Sequence, residues 1–385
     1  MSPLARLKRR ADRRAYRFLA GCYRGLFPAR APGGPAPPDA VRRVLVVRHD
    51  RLGDWVVTTP LVALLRDALP HAEVDVLASP GNAALVAADP RVARVIVHDH
   101  TWGGWWRARR ACRARGHDLV LSVIEGKGLR EGAVAATVAR PGARRVTTPR
   151  PKRYLGFFTY AVRAAARRTH MAERVLAVGR GALALPPGFG PASVGRYPYA
   201  VGRDAESEAR ADAFVAEHGL GRFVVANAWA VEPQRNLGGA RLAELLALVA
   251  ARHPGVPFVL VPAPAQRTEA EAVVAAAATR GVRALVYPPS PSVLGVVALL
   301  RRAAALLTVD TGLVHLAAAC GCPVVALYSP RATRPGQWEP LGVPSRALMA
   351  PPGEAVTAIP LADAAGAFGA LWSALPGRPP TGLTD

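Results

Sequence analysis

Cysteine is scarce in this chain: Cys22, Cys112, Cys320 and Cys322 are the only four in 385 residues. Their separations make neither a disulfide framework nor a zinc spacing, and such sparse usage fits a reducing compartment. No apolar run reaches the roughly 18 residues of a membrane-spanning helix. No secretory leader pattern is present either. Three catalytic fingerprints are missing as well. The first apolar strand is not followed by G-x-G-x-x-G, which argues against a dinucleotide oxidoreductase. There is no Walker A loop and no G-x-S-x-G nucleophile elbow. No RRM or paired-cysteine zinc module marks a nucleic-acid binder.

Acidic residues are scarce in one half only. Residues 1–200 hold 35 Lys and Arg against 13 Asp and Glu, whereas residues 201–385 hold 15 against 14. The basic half therefore carries almost all of the net charge of +23. Such a surface attracts an anionic substrate, an anionic lipid or nucleic acid, and charge alone does not choose among them. The excess peaks over residues 100–170, with 16 basic and three acidic side chains. Within that stretch, "HTWGGWWRARRACRAR" (100–115) reads as an interfacial loop. Its Trp102, Trp105 and Trp106 beside arginines suit a lipid surface at least as well as stacked bases. At the amino end, Leu4, Leu7, Ala11, Ala15, Phe18, Cys22 and Leu26 recur at helical spacing. Nine Lys/Arg lie within residues 1–30. This pattern predicts a basic amphipathic helix able to lie on an anionic membrane. Residues 28–39, rich in Pro and Gly, read as a linker.

Beyond the linker, short apolar strands alternate with helices. Strands are expected at 43–48, 73–78, 94–98 and 118–123, with helices at 55–69 and 81–88. A basic helical stretch is expected over 151–185, and a second start at 222–226. From there strands 257–261, 283–287, 304–309 and 323–328 alternate with helices 239–252, 268–279, 292–302 and 313–320. Two doubly wound parallel sheets result, with a boundary near 186–203 and a ligand cleft expected between them.

The segment "VDTGLVHLAAACGCPVVALYSP" (309–330) places Asp310, Thr311 and Gly312 where a strand ends and a helix begins. Open α/β sheets bind ligands there, and free N–H groups at a helix start favour a phosphate. Thr311 and His315 stand four apart, so they share one side of the first turns. An alternative leaves an ordinary turn, with Asp310 or Thr311 as helix cap and His315 as a satisfied core histidine.

"VLVVRHDRLGDWVVTTPLVALLRDALPHAEVDVLA" (44–78) and "ALLTVDTGLVHLAAACGCPVVALYSP" (305–330) resemble the two signatures of glycosyltransferase family 9, the ADP-heptose:lipopolysaccharide heptosyltransferases. Weaker matches extend the resemblance over about 43–345. It implies a GT-B fold, α/β, with two facing Rossmann-like domains and a central cleft, behind the N-terminal basic amphipathic helix. The domains are expected at 1–39 (helix and linker), 40–195 (acceptor) and 196–385 (nucleotide sugar).

The resemblance further implies an inverting sugar transfer from a nucleotide donor, ADP-heptose by default. The acceptor is an anionic glycolipid of the lipopolysaccharide core or a related envelope lipid. No cofactor is implied and no metal ligands are assigned. Asp54 corresponds to the general base. Its rival in the same loop is Asp50, and capping of helix 55–69 is its structural alternative. Asp310, Thr311, Gly312 and His315 belong to the donor site. Arg235 and Gln234 occupy the place of a basic family stretch, Lys-Arg-Trp-Pro, which here reads Gln234-Arg235-Asn236-Leu237. Glu269, or Gln266, is the candidate ribose contact. Arg51, Lys127 and Arg130 are candidate acceptor contacts. The Gln234 departure leaves room for another nucleotide sugar or acceptor. A noncatalytic member and a nucleic-acid-binding Rossmann protein are the remaining alternatives. The expected location is cytoplasmic, peripheral at the inner face of the bacterial cytoplasmic membrane, with no nucleic-acid partner.

Overall fold

The computed structural model describes residues 33–124, 129–148, 157–162, 169–190 and 193–376. The expected helix over residues 1–30 lies outside them. Two compact units divide the chain: one runs to Arg167 and resumes over Ala172–Tyr197, and the other takes Arg168–Met171 and everything from Pro198.

The first unit is built on six parallel strands: β1 (Arg43–Arg48), β2 (Glu73–Ala78), β3 (Arg94–Val97), β4 (Leu119–Ser122), β5 (Arg144–Thr147) and β6 (Tyr160–Ala161), in the order β3-β2-β1-β4-β5-β6. Val44 to Val47 are all fully buried. That is why β1 reads as an unbroken apolar run: helices cover both faces of a parallel sheet.

The second unit repeats the plan with β7 (Val224–Asn227), β8 (Phe258–Leu260), β9 (Ala284–Val286), β10 (Ala305–Val309), β11 (Val324–Tyr328) and β12 (Ser345–Met349). Their order is β12-β11-β10-β7-β8-β9, and every pairing is parallel. Helix Gly239–Arg252 packs here through Leu242, Leu245, Leu246 and Val249, one stripe at helical spacing. Truncating Leu246 to Ala would cost about 2–5 kcal/mol. In each sheet the chain reverses its winding at the central pair, β1/β4 and β7/β10, and loops at the carboxyl ends of those strands are where such sheets bind ligands.

Three expectations need correction. The helix expected over 55–69 is two helices, Leu52–Val56 and Thr59–Ala68. Pro60 has no N–H to continue the ladder. The Thr59 hydroxyl donates instead to the Val56 carbonyl at 2.7 Å, and that of Thr58 to the Asp54 carbonyl at 2.7 Å. Next, the tryptophan-rich stretch is not a loop. It forms helix Trp102–Arg115, started by Thr101 accepting the Gly104 N–H and stopped at Gly116 with φ 69°. Trp105 turns inward and donates to Thr137 Oγ1, while Trp102 and Trp106 are exposed. Finally, the stretch read as helical over 151–185 contains strand β6 ahead of helix Met171–Ala182.

Candidate active site

In the first unit the loop after β1 is organised by Arg48, a fully buried side chain at the strand's last position. Its Nε donates to the Asp54 carbonyl at 2.8 Å and its Nη1 to the Val123 carbonyl at 2.7 Å, joining the loops after β1 and β4. The same guanidinium meets two carboxylates, Asp54 Oδ1 at 3.1 Å and Asp50 Oδ2 at 3.3 Å. A fork of donors with a fixed plane suits this task in a way that lysine would not. Asn82 Nδ2 donates to the Arg48 carbonyl and Ser79 Oγ to the Asp50 carbonyl, so the end of β2 also braces the loop.

Asp54 sits within helix Leu52–Val56, whose N-cap position is Arg51. Capping therefore does not account for it. Burial pushes the Asp50 carboxyl up to about 7; Arg48 opposes the shift and the neighbouring Asp54 charge adds to it. Arg51 is exposed at the loop. Lys127 lies outside the described residues, and Arg130 falls in the first turn of helix Leu129–Val138.

In the second unit the turn after β10 behaves as its sequence suggests. Thr311 is the N-cap of helix Gly312–Ala319, and its side chain accepts the Leu313 N–H. Asp310 is buried and accepts the Thr333 hydroxyl. Arg235, from the 3₁₀ turn Pro233–Arg235 after β7, brings its Nε to 3.4 Å from Asp310 Oδ2 and 2.9 Å from Glu232 Oε2. Half-buried Gln234 shares that turn. A cation, a hydroxyl and the amino end of a helix thus meet at the reversal point of this sheet, a combination suited to a diphosphate. Across the same pair of strands, Asn227 Nδ2 donates to Thr308 Oγ1 at 3.2 Å.

His315 is buried against the rings of His170, Tyr199 and Trp338, with centroids 6.5, 6.1 and 5.7 Å away. It is not a satisfied core histidine: its Nδ1 has no hydrogen-bond partner among the described residues. Burial holds it neutral, down to about 3, with the neighbouring His170 adding to the shift. His170 comes from the short segment that joins this unit, where its Nε2–H donates to the Glu339 carbonyl at 2.9 Å. Glu269 is already engaged. Its carboxylate accepts the Trp229 indole N–H at 2.7 Å and the Gly239 N–H at 2.6 Å, fixing the start of helix Gly239–Arg252.

The sequence motifs did not single out Arg48, Thr333, His170 or Trp338. Arg48 alone had a visible signal, a charge closing the otherwise apolar "VLVV" of a buried strand.

Comparison with known proteins agrees with this architecture. The sequence model described as "Glycosyltransferase family 9 (heptosyltransferase)" matches residues 134–356. The chain is 29% identical over 314 residues to lipopolysaccharide heptosyltransferase 1 of Pseudomonas aeruginosa, covering 76% of this chain and 80% of that protein. Among solved structures it is similar to a family 9 glycosyltransferase from Veillonella parvula, with TM-score 0.73 and 19% identity over 86% of this chain and 97% of that one. It is also similar to E. coli ADP-heptose lipopolysaccharide heptosyltransferase II, with TM-score 0.67 and 20% identity over 86% and 98%. A third likeness is to the E. coli heptosyltransferase WaaC solved with ADP, with TM-score 0.62 and 23% identity over 85% and 96%.

Proposed function

The chain belongs to glycosyltransferase family 9 and is a glycosyltransferase of the GT-B fold; from that premise we propose that it moves a heptose from ADP-heptose to an anionic lipopolysaccharide-core acceptor with inversion. The observation that carries the reading is the convergence of Arg235, Asp310 and the Thr311-capped helix end at one sheet's reversal point, beside a buried His315. Arg235 and the N–H groups at Gly312 would take the donor diphosphate and stabilise the charge that grows on the leaving group. Asp310 would orient sugar hydroxyls. The Glu269 carboxylate keeps lone pairs for a ribose hydroxyl even while it holds Trp229 and Gly239.

Asp54 would serve as the base, removing the proton of the acceptor hydroxyl as it attacks the anomeric carbon from the face opposite the nucleotide. Arg48 holds that carboxylate in one orientation. Arg51, Lys127 and Arg130 would meet the acceptor's phosphates and carboxylates. General base catalysis contributes about 10²–10⁴-fold. Asp54→Asn is therefore expected to lose about that much single-turnover transfer while its ADP-heptose affinity stays within twofold. Near-normal transfer by that variant would remove the assignment.

A second reading keeps the chemistry and changes the sugar, because Gln234 stands where the family carries lysine. Thermal shifts with a panel of nucleotide sugars separate the two, since the ligand that binds the folded state raises its stability. ADP-heptose giving the largest shift supports the first.

The same premise implies a role at a surface. Among the described residues no helix is long and apolar enough to cross a membrane. We place the enzyme peripherally at an anionic membrane through residues 1–30. Exposed Trp102 and Trp106 lie on the basic helix Trp102–Arg115, which offers a second contact.

A further inference from the structure

His49 and His98 each stand immediately beyond a strand, β1 and β3, at the carboxyl ends of one parallel sheet. His100 comes two residues later. The three rings form a near-equilateral triangle, with centroids 5.2 Å apart for His49 and His98, 5.3 Å for His49 and His100, and 5.0 Å for His98 and His100. One nitrogen of each lies within 4.8 Å of the other two. We propose that His49, His98 and His100 form a binding site for a divalent transition-metal ion of the zinc type, separate from the residues of sugar transfer.

Geometry favours an ion over mere ring packing. Three imidazole nitrogens at Zn–N distances near 2.0–2.1 Å stand roughly 3.4 Å apart in a tetrahedron, so the widest gap here closes by about 1.4 Å. Rotation of the rings about their side-chain torsions covers that. The backbone is unusual at the third ligand. His100 has φ 64°, the only non-glycine residue among those described in the left-handed region. Such a conformation is costly for a residue with a side chain and occurs most often where a site requires it. The intervening Asp99 does not join the cluster. Its Oδ1 accepts the N–H and hydroxyl of Thr101, and its Oδ2 accepts from Arg107.

The ligand set chooses the ion. Three neutral imidazoles without a carboxylate suit Zn²⁺, Co²⁺, Ni²⁺ or Cu²⁺, while Mg²⁺ and Ca²⁺ require oxygen. His49 and His98 are buried and His100 is exposed. The fourth position therefore opens on the solvent side, to water or a small anion. An ion here would tie the end of β3 to the loop that runs from His49 to Asp54, and would stiffen that loop.

The test uses the full chain, stripped with a chelator and titrated with Co²⁺. One saturable equivalent is expected, with visible d–d bands that vanish when Zn²⁺ is added. Saturating Zn²⁺ should raise the melting temperature, and Mg²⁺ at the same concentration should not. His100→Ala removes an exposed side chain, so its metal-free melting temperature should match the parent, while its Co²⁺ affinity falls at least tenfold. His98→Gln should weaken binding by as much. Cys320→Ser/Cys322→Ser should bind like the parent. Absence of a saturable Co²⁺ equivalent overturns the proposal. So does undiminished binding in His100→Ala, or a loss of binding in the cysteine variant.

Discussion

Replacing Arg48 with Met tests whether one buried guanidinium holds the loop after β1 together. The substitution keeps most of the volume and the aliphatic stem. It strips donors from two carbonyls, those of Asp54 and Val123, and leaves the Asp50 and Asp54 carboxylates without their shared counter-charge. Breaking a buried ion pair from one side costs about 3–5 kcal/mol, because the surviving charge stays desolvated. For a unit of this size each kcal/mol moves the melting temperature by about 2–4 °C, so the transition of the first unit should fall by about 6–20 °C. Differential scanning calorimetry reads this directly, and the transition of the second unit should stay in place. Arg48→Met/Asp54→Asn removes the stranded carboxylate, because Asp50, at about 7 even beside Arg48, becomes neutral without it. It should recover about 1 kcal/mol or more, since the residues are in direct contact and their effects do not add. Arg48→Lys retains charge but not the fork, and should fall between the parent and Arg48→Met. A drop below about 2 °C in Arg48→Met, or no recovery in the double variant, would refute the account of Arg48 as the organiser of this loop.

Arg235→Ala should weaken nucleotide binding by about 10- to 100-fold, the worth of a charge-assisted hydrogen bond, and isothermal titration with ADP measures it. His315 ties stability to pH. Its folded value, down to about 3, lies below the ordinary 6.5. Between those values the unfolded chain binds a proton that the folded chain refuses, so stability falls as pH falls, by about 2 kcal/mol from pH 6.5 to 5. Asp50, raised to about 7, acts with the opposite sign over the same range, so the difference between proteins is the test: as pH falls, the urea midpoint of the parent should lose ground relative to that of His315→Asn, and identical pH profiles refute the assignment. Deleting residues 1–30 should reduce sedimentation with phosphatidylglycerol vesicles and leave ADP affinity unchanged, and Trp102→Ala/Trp106→Ala should reduce the remaining vesicle binding.

The parts of the fold that were readable in sequence are those where one segment suffices. Val44–Val47 and Ala305–Val309 are buried on both faces and appear as apolar runs, so their strands and the turns after them were legible. The turn at Asp310-Thr311-Gly312 was legible for the same reason, and Thr311 caps the helix there. Local chemistry misled in two places. Pro60 split an apparently continuous helix, although its own position was the signal. The polarity of "RARRACRAR" hid helix Trp102–Arg115, although Thr101 and Gly116 were its cap and its stop.

The contacts that stayed hidden depend on strand order. Arg235 and Asp310 meet because β7 and β10 are neighbours, and Arg48 reaches Val123 because β1 and β4 are. His49 approaches His98 and His100 only because the order β3-β2-β1 brings the carboxyl ends of those strands to one edge. Residue spacing along the chain carries none of this. The same ordering rule that brings Arg235 beside Asp310 at the centre of one sheet gathers three imidazoles nearer the edge of the other. The loop after β1, held both by Arg48 and by a metal at His49, would present Asp54 with little freedom to move. A stiff carboxylate is worth most to a base that must meet its proton in one geometry.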